Sequence, residues 1–303
     1  MKTVTLLMTM FVMWTAVVYG EDAAVLPAKT LRFGAGTAID FVHEAWDGDG
    51  KKVNMPDAMI IGTRIGIAYG FTDWFSTVFD WSPGLTDTDL TSIDIGNDGN
   101  SAEEIYEGLG DFTLKGQFQI IGKNGPVSSE RFRMRITPGM VIPFPGIDDK
   151  DALGNHTWGM GGDVSFDMLI TDTFFFNMFS EVYVFPFKNH SKTNHTGEFS
   201  LEAGPHYALT IGTANLAFAL PINWSAAEEN NENMLIDGIS SHVLSLRPSL
   251  ALQLTWPFRI NIEIEYAFPL YGKNNYIAHT ITIKAPVNFN FAKNKENNEG
   301  EQR

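Results

Sequence analysis

Phe112-Thr113-Leu114-Lys115-Gly116-Gln117-Phe118-Gln119-Ile120 is the stretch that decides the fold. Phe112, Leu114, Gly116, Phe118 and Ile120 fall on one face of an extended chain, and Thr113, Lys115, Gln117 and Gln119 on the other, because strand side chains alternate. The next run repeats it, with Phe132, Met134, Ile136 and Met140 opposing Arg131, Arg133, Arg135 and Thr137. Near the end, Phe258, Ile260, Ile262, Ile264 and Tyr266 oppose Arg259, Asn261, Glu263 and Glu265. Following the alternation between clusters of Gly, Asn, Asp and Pro predicts strands near 30–41, 58–70, 74–83, 111–122, 130–144 and 162–171. Six more are predicted near 173–186, 198–211, 215–224, 242–256, 258–270 and 276–291.

Most of these runs exceed the roughly five or six residues of a soluble strand and suit the nine to eleven that cross a bilayer at a tilt. No Lys, Arg, Asp or Glu lies on their apolar faces, where His279 is the most polar group. A charge on a lipid face costs about 2–4 kcal/mol at the midplane, so a bilayer enforces this absence while a soluble sandwich tolerates charges at the borders of its core. No stretch after residue 20 reaches the eighteen apolar residues of a spanning helix. The pattern therefore predicts an all-β chain: a transmembrane antiparallel up-and-down β-barrel of about twelve strands.

Residues 1–20 read as an export signal, with Lys2 as the charged start, an apolar run from Thr5 to Val18, and Val18-Tyr19-Gly20 as a small-residue cleavage site. The barrel is assigned to 21–291, and 292–303 to a polar periplasmic tail. There is no cysteine, so neither a lipidated N-terminus nor a disulfide is available. The net charge of −15 argues against nucleic acid, which needs a basic face, and suits solvated loops. Connections alternate between short turns (70–73, 123–126, 171–173, 212–215 and 256–257) and longer loops (42–57, 84–110, 145–161, 187–197 and 225–241). Barrels of the bacterial outer membrane pair short periplasmic turns with long outer loops, and an even strand count puts both ends in the periplasm. Trp74, Trp81, Trp224, Trp256 and Tyr271 sit near strand ends, where interface girdles belong.

The inward face is then the functional surface. It carries Arg32, Arg64, Lys115, Arg131, Arg133, Arg135, Arg247, Arg259 and Lys284 against Asp40, Asp80, Asp163, Asp167, Glu181, Glu202, Glu263 and Glu265. Such near balance argues against a pore built from rings of one sign. Counting across hairpins brings Glu263 beside Lys284 and Arg247 beside Glu265. Arg131, Arg133 and Arg135 form a ladder with spacing of about 6.6 Å, twice the strand rise. It is either an electropositive strip for anionic solutes or, as favoured here, part of a salt-bridged network bracing the wall. In the strand at 173–186, Phe174, Phe176, Met178, Val182 and Val184 face lipid, which turns Phe175, Phe179, Tyr183 and Phe185 inward; His206 joins the inward set. These rings either line a path for apolar solutes or fill space, since twelve strands fall between packed and water-filled barrels.

Signals for an enzyme or a cofactor are weak. The seven His are scattered, with no HExxH, and no GxSxG occurs. Asp47-Gly48-Asp49-Gly50 resembles a calcium loop, but Lys51 stands where a ligand belongs. Asp237, His242 and Ser245 are close in sequence without forming a recognisable nucleophile–base motif.

Glu107-Gly108-Leu109-Gly110-Asp111-Phe112-Thr113-Leu114-Lys115 resembles the Gly-Leu-Gly-Asp strand opening of the outer-membrane transporters of the meta-pathway phenol-degradation family, allied to FadL-like hydrocarbon channels. Tyr69-Gly70-Phe71-Thr72-Asp73-Trp74 resembles that family's first turn, and Val141-Ile142-Pro143-Phe144-Pro145-Gly146 its apolar strand ending in Pro and Gly. The resemblance covers residues 30–290 and implies a barrel that takes up hydrophobic or aromatic compounds, with no catalytic residues to carry over. The chain departs from it in the polar residues after Phe291 and in having only Glu21 to Lys29, not a long hatch, before the first strand. The expected function is passive passage of small hydrophobic or aromatic solutes. The alternative is a non-transporting surface barrel, an adhesin or structural envelope protein, whose acidic loops bind a partner. Expected partners are outer-membrane lipid, small-molecule solutes and the barrel assembly machinery.

Overall fold

In a computed structural model, residues 23–81, 87–88, 105–106, 110–143, 157–187, 193–211, 214–231, 239–254 and 259–291 are described. Every regular element among them is a strand, and all join one antiparallel sheet closed on itself. The twelve strands are β1 (Thr30–Trp46), β2 (Lys52–Thr72), β3 (Phe75–Trp81), β4 (Phe112–Ile121), β5 (Phe132–Ile142) and β6 (Gly159–Leu169). They continue as β7 (Phe174–Val184), β8 (Thr193–Ile211), β9 (Ala214–Ala219 and Ile222–Asn231), β10 (Ile239–Leu246 and Ser249–Leu254), β11 (Arg259–Lys273) and β12 (Asn275–Lys284 and Val287–Asn290). Each strand pairs with the next, and β12 returns to β1 with Gly36 opposite Lys284 and Asp40 opposite Thr280. Two short segments, Asp87–Thr88 and Ile105–Tyr106, extend the sheet beyond β3, the first pairing with Met59 and Ile60 of β2.

Burial is inverted relative to a soluble domain. Ser76, Gln117, Thr137, Ser165, Asp167, Asn177 and Glu202 are buried, whereas Ile65, Ile67, Phe79, Leu114, Ile136, Val164, Met178 and Ile264 are exposed. Closure puts the polar face inside and leaves the apolar face for lipid, as expected of a spanning barrel. His279 stays satisfied on that face: its Nδ1 lies 2.7 Å from the Tyr266 hydroxyl, and the rings stack. The girdle aromatics cluster, with Trp74 against Phe75 and Phe118, Trp81 against Phe112, Trp224 against Phe199 and Tyr271 against Trp46. Trp256 lies outside the described residues, as do residues 1–20 and 292–303.

Three differences from the sequence expectations have physical causes. First, the loop expected at 42–57 is mostly strand, because β1 and β2 stay paired to Trp46 and Lys52, with a shift of register between Val42 and Glu44. The remaining turn closes on Asp47, whose carboxylate accepts the backbone N–H of Asp49 and Lys51. Those two amides use the side-chain oxygen that a calcium loop would offer the ion. Second, β8 starts at Thr193 and β9 runs to Asn231, so the loops expected at 187–197 and 225–241 are shorter. Third, β9, β10 and β12 are interrupted at Leu220-Pro221, Arg247-Pro248 and Ala285-Pro286. Proline has no N–H to give the ladder. Its carbonyl still accepts: Pro205 from Leu220, Pro221 from Arg247, Pro248 from Tyr266 and Pro286 from Asn261.

Candidate functional site: the barrel interior

The interior is organised in three levels. The first is filled by the segment that precedes β1. Residues 23–26 lie inside the wall, with Ala23 fully buried and Leu26 packed on Ala68 and Val78, while Pro27 and Lys29 are exposed. Lys29 adopts a left-handed conformation (φ 57°) where the chain turns from interior to wall. Polar contacts fasten the segment: the Ala23 N–H donates to Asp167 at 3.0 Å, Gln119 donates to the Ala23 carbonyl and Arg135 to the Ala24 carbonyl. The Ala28 N–H donates to Asp73. Gly70 is needed here, since a Cβ on it would stand 2.1 Å from the Pro27 carbonyl oxygen. This short plug was not anticipated. Its apolar run of Ala, Val, Leu and Pro was visible, but its partners lie far along the chain.

The middle level is a layer of ion pairs in two groups. On β2–β7, Arg64 meets Asp80 at 3.2 Å, Lys115 meets Glu181 at 2.7 Å and Asp163 at 3.8 Å, and Arg135 meets Asp163 at 3.3 Å. Towards the plug, Arg133 meets Asp167 at 2.7 Å and lies over the Phe175 ring. Phe175 in turn stacks on His206, with centroids 4.8 Å apart. On β8–β12, Arg247 lies between Glu202 (3.8 Å) and Glu265 (3.7 Å), while Lys284 reaches Glu263 (3.4 Å) and Glu265 (2.8 Å). Glu202 is 1 % exposed and also receives Asn223. Buried charges need such partners, because an isolated one would be far too costly. The Glu263–Lys284 and Arg247–Glu265 pairings are those that hairpin counting gives.

The rest of the inward set distributes unevenly. Arg32 donates to Asn288 at 2.8 Å near the plug end. Arg131 is exposed just before β5, Arg133 is half-buried and Arg135 is buried, so the arginine ladder sinks inward along the strand. Arg259 opens β11 opposite Asn288; its side chain lies outside the described residues. Phe179 is half-buried, while Tyr183 is 5 % exposed and packs with Val141 and Phe185. The third level, beyond the ion pairs, is a cavity of about 240 Å3 bounded by β7–β10 and Asn275.

The geometry offers no catalytic constellation at the residues considered. His242 and Ser245 are three apart on β10 and therefore point to opposite faces, and Asp237 lies outside the described residues. Among the described residues, no three His, Cys, Asp or Glu side chains gather to hold a metal.

No protein-family model matches the sequence, and no curated protein matches it. The fold has solved counterparts. The COG4313 outer membrane channel from Pseudomonas putida F1 superposes with a TM-score of 0.66 at 14 % identity, covering 90 % of this chain and 100 % of that one. The likeness is one of fold. The NanC porin gives a TM-score of 0.45 at 10 % identity over 86 % and 98 % of the two chains. The P. putida toluene transporter TodX gives 0.39 at 9 % identity over 87 % and 91 %.

Proposed function

We propose that this chain is an outer-membrane channel through which small hydrophobic or aromatic solutes pass by diffusion, with both ends in the periplasm. One observation carries the reading. At one end the interior holds residues 23–26, fastened by hydrogen bonds to Asp167, Gln119 and Arg135 and by Leu26 against Ala68 and Val78. A barrel serving only as a scaffold can fill itself with its own wall residues, whereas this one keeps a cavity beyond its ion pairs. Phe175, Phe179 and Tyr183 on the inward face, with His206 stacked on Phe175, supply aromatic surface for an apolar solute.

The test is uptake of a labelled monoaromatic compound by intact cells whose outer leaflet is the barrier. Expression of the chain raises the uptake rate, and deletion of residues 23–28 raises ion conductance in planar bilayers. Uptake equal to that of cells lacking the chain, together with unchanged conductance after the deletion, overturns the reading in favour of a non-transporting surface barrel.

A further inference from the structure

We propose that solutes cross the ion-pair layer through a gap beside Arg64, between β12, β1 and β2, and that Arg64 sets its width. The inference rests on the channel reading above and names the route and the size of solute that the channel passes.

The gap follows from register. Gly36 of β1 lies between Arg64 of β2 and Lys284 of β12, so at this level the middle strand carries no side chain. Two strand spacings put the Cα atoms of Arg64 and Lys284 about 10 Å apart. Each side chain leans away from Gly36 to an acid on the strand beyond, Arg64 to Asp80 of β3 at 3.2 Å and Lys284 to Glu265 of β11 at 2.8 Å. The next rung of the inward face is also slight, with Ala38 between Gly62 and Thr282.

Exposure marks where the layer is open. Arg64 has 51 % of its side chain exposed, whereas Lys115, Arg133, Arg135, Arg247 and Lys284 have 31 % or less. Gly62 shares the inward face of Arg64 and is exposed, with nothing within 4 Å of an added Cβ. Inward positions of β3, β6 and β7 are packed by comparison: Ser76, Ser165 and Asn177 are 0 % exposed. Towards the plug the same face of β2 closes again, since Gly66 and Ala68 are buried and Leu26 rests on Ala68. The open stretch therefore ends at Arg64, with the plug behind it.

Asp80 holds the guanidinium in place, because its buried charge is left uncompensated if Arg64 swings out. A gap bounded by bare backbone on one side and a tethered guanidinium on the other passes a straight chain or a single ring and stops a fused pair of rings.

The chain has no cysteine, so single thiols report on the gap. Gly62→Cys, with Ser165→Cys as the buried comparison, is refolded as the full chain in detergent and checked for heat-modifiable mobility. Labelling by a charged methanethiosulfonate is then followed by mass spectrometry. Gly62→Cys labels about tenfold faster than Ser165→Cys. Labelling lowers its conductance in planar bilayers by about half. Arg64→Ala combined with Asp80→Asn removes the pair without orphaning a charge, and raises conductance about twofold. Intact cells carrying the parent take up benzyl alcohol and exclude 2-naphthylmethanol, whereas the double variant admits both. Labelling of Gly62→Cys no faster than that of Ser165→Cys, or equal uptake of the two alcohols through the parent, overturns the proposal. Fast labelling that leaves conductance unchanged, or block by a thiol at Ser225 in the β7–β10 cavity and not at Gly62, overturns the route and leaves the channel. Fast labelling of Gly62→Cys in a chain that neither conducts nor raises uptake supports the gap and overturns the channel.

Discussion

Arg133 and Asp167 meet at 2.7 Å, and the same Asp167 oxygen accepts the N–H of Ala23, so one buried carboxylate ties the wall to the chain's first described residue. Its other oxygen receives Asn177 at 2.7 Å. Asp167 is thus both a bracing group and the latch of the plug.

Asp167→Asn tests that double role. Removing one partner of a buried pair costs about 3–5 kcal/mol because the other charge is left uncompensated. The expected outcome is a lower unfolding midpoint in urea together with larger or more frequent conductance openings in planar bilayers. A variant that is less stable but conducts like the parent would separate the brace from the latch.

Gly139→Ala places a Cβ 2.6 Å from the Tyr183 hydroxyl oxygen, a contact relieved only by shifting the ring from its packing on Val141 and Phe185. The variant is expected to lose heat-modifiable mobility on gels, the signature of a closed barrel. Adding Tyr183→Phe removes the offending oxygen and restores it. Gly62→Ala, with nothing within 4 Å of its Cβ, is the control and folds as the parent does.

Ile136→Arg puts a charge on the lipid face, where Ile136 is exposed. The expected loss is about 2–4 kcal/mol in phospholipid, depending on depth. Unfolding titrations in liposomes measure it, with Ile136→Val as the neutral comparison.

Asp47 gives a pH dependence outside the membrane. Hydrogen bonds from the backbone, that of Lys51 foremost, hold its carboxyl below the usual 3.8. Because the folded value is depressed, the ionised turn is favoured above the unfolded value and loosens as pH falls through the folded one. The protection of the Asp49 and Lys51 amides, relative to their intrinsic exchange rates, is therefore expected to fall at low pH in the parent, and to be lost at all pH values in Asp47→Ala.

The strands were legible because a bilayer imposes a two-residue period with no tolerance for charge on one face. Phe112 to Ile120 carries that rule within nine residues. Ion pairs between hairpin neighbours, such as Glu263 with Lys284, were legible for the same local reason. The plug was not: Ala23 and Asp167 are 144 positions apart, and nothing in a polar-inward pattern says which carboxylate will hold a distant amide. The exposure of Arg131 was not legible for a different reason, since alternation continues through a strand end without marking where β5 begins. The split strands were foreshadowed by Pro221, Pro248 and Pro286, residues the ladder cannot use as donors.

Those prolines make the wall mechanically uneven. From β4 to β7 the strands run unbroken, like staves of one length, whereas three of the last four strands are jointed part-way along. At each joint the proline keeps its acceptor but has no N–H to donate, so there is one rung fewer to be pulled apart. On heating, amide protons of β9, β10 and β12 beside the joints should exchange first and those of β5 and β6 last, with the barrel coming undone from its jointed side.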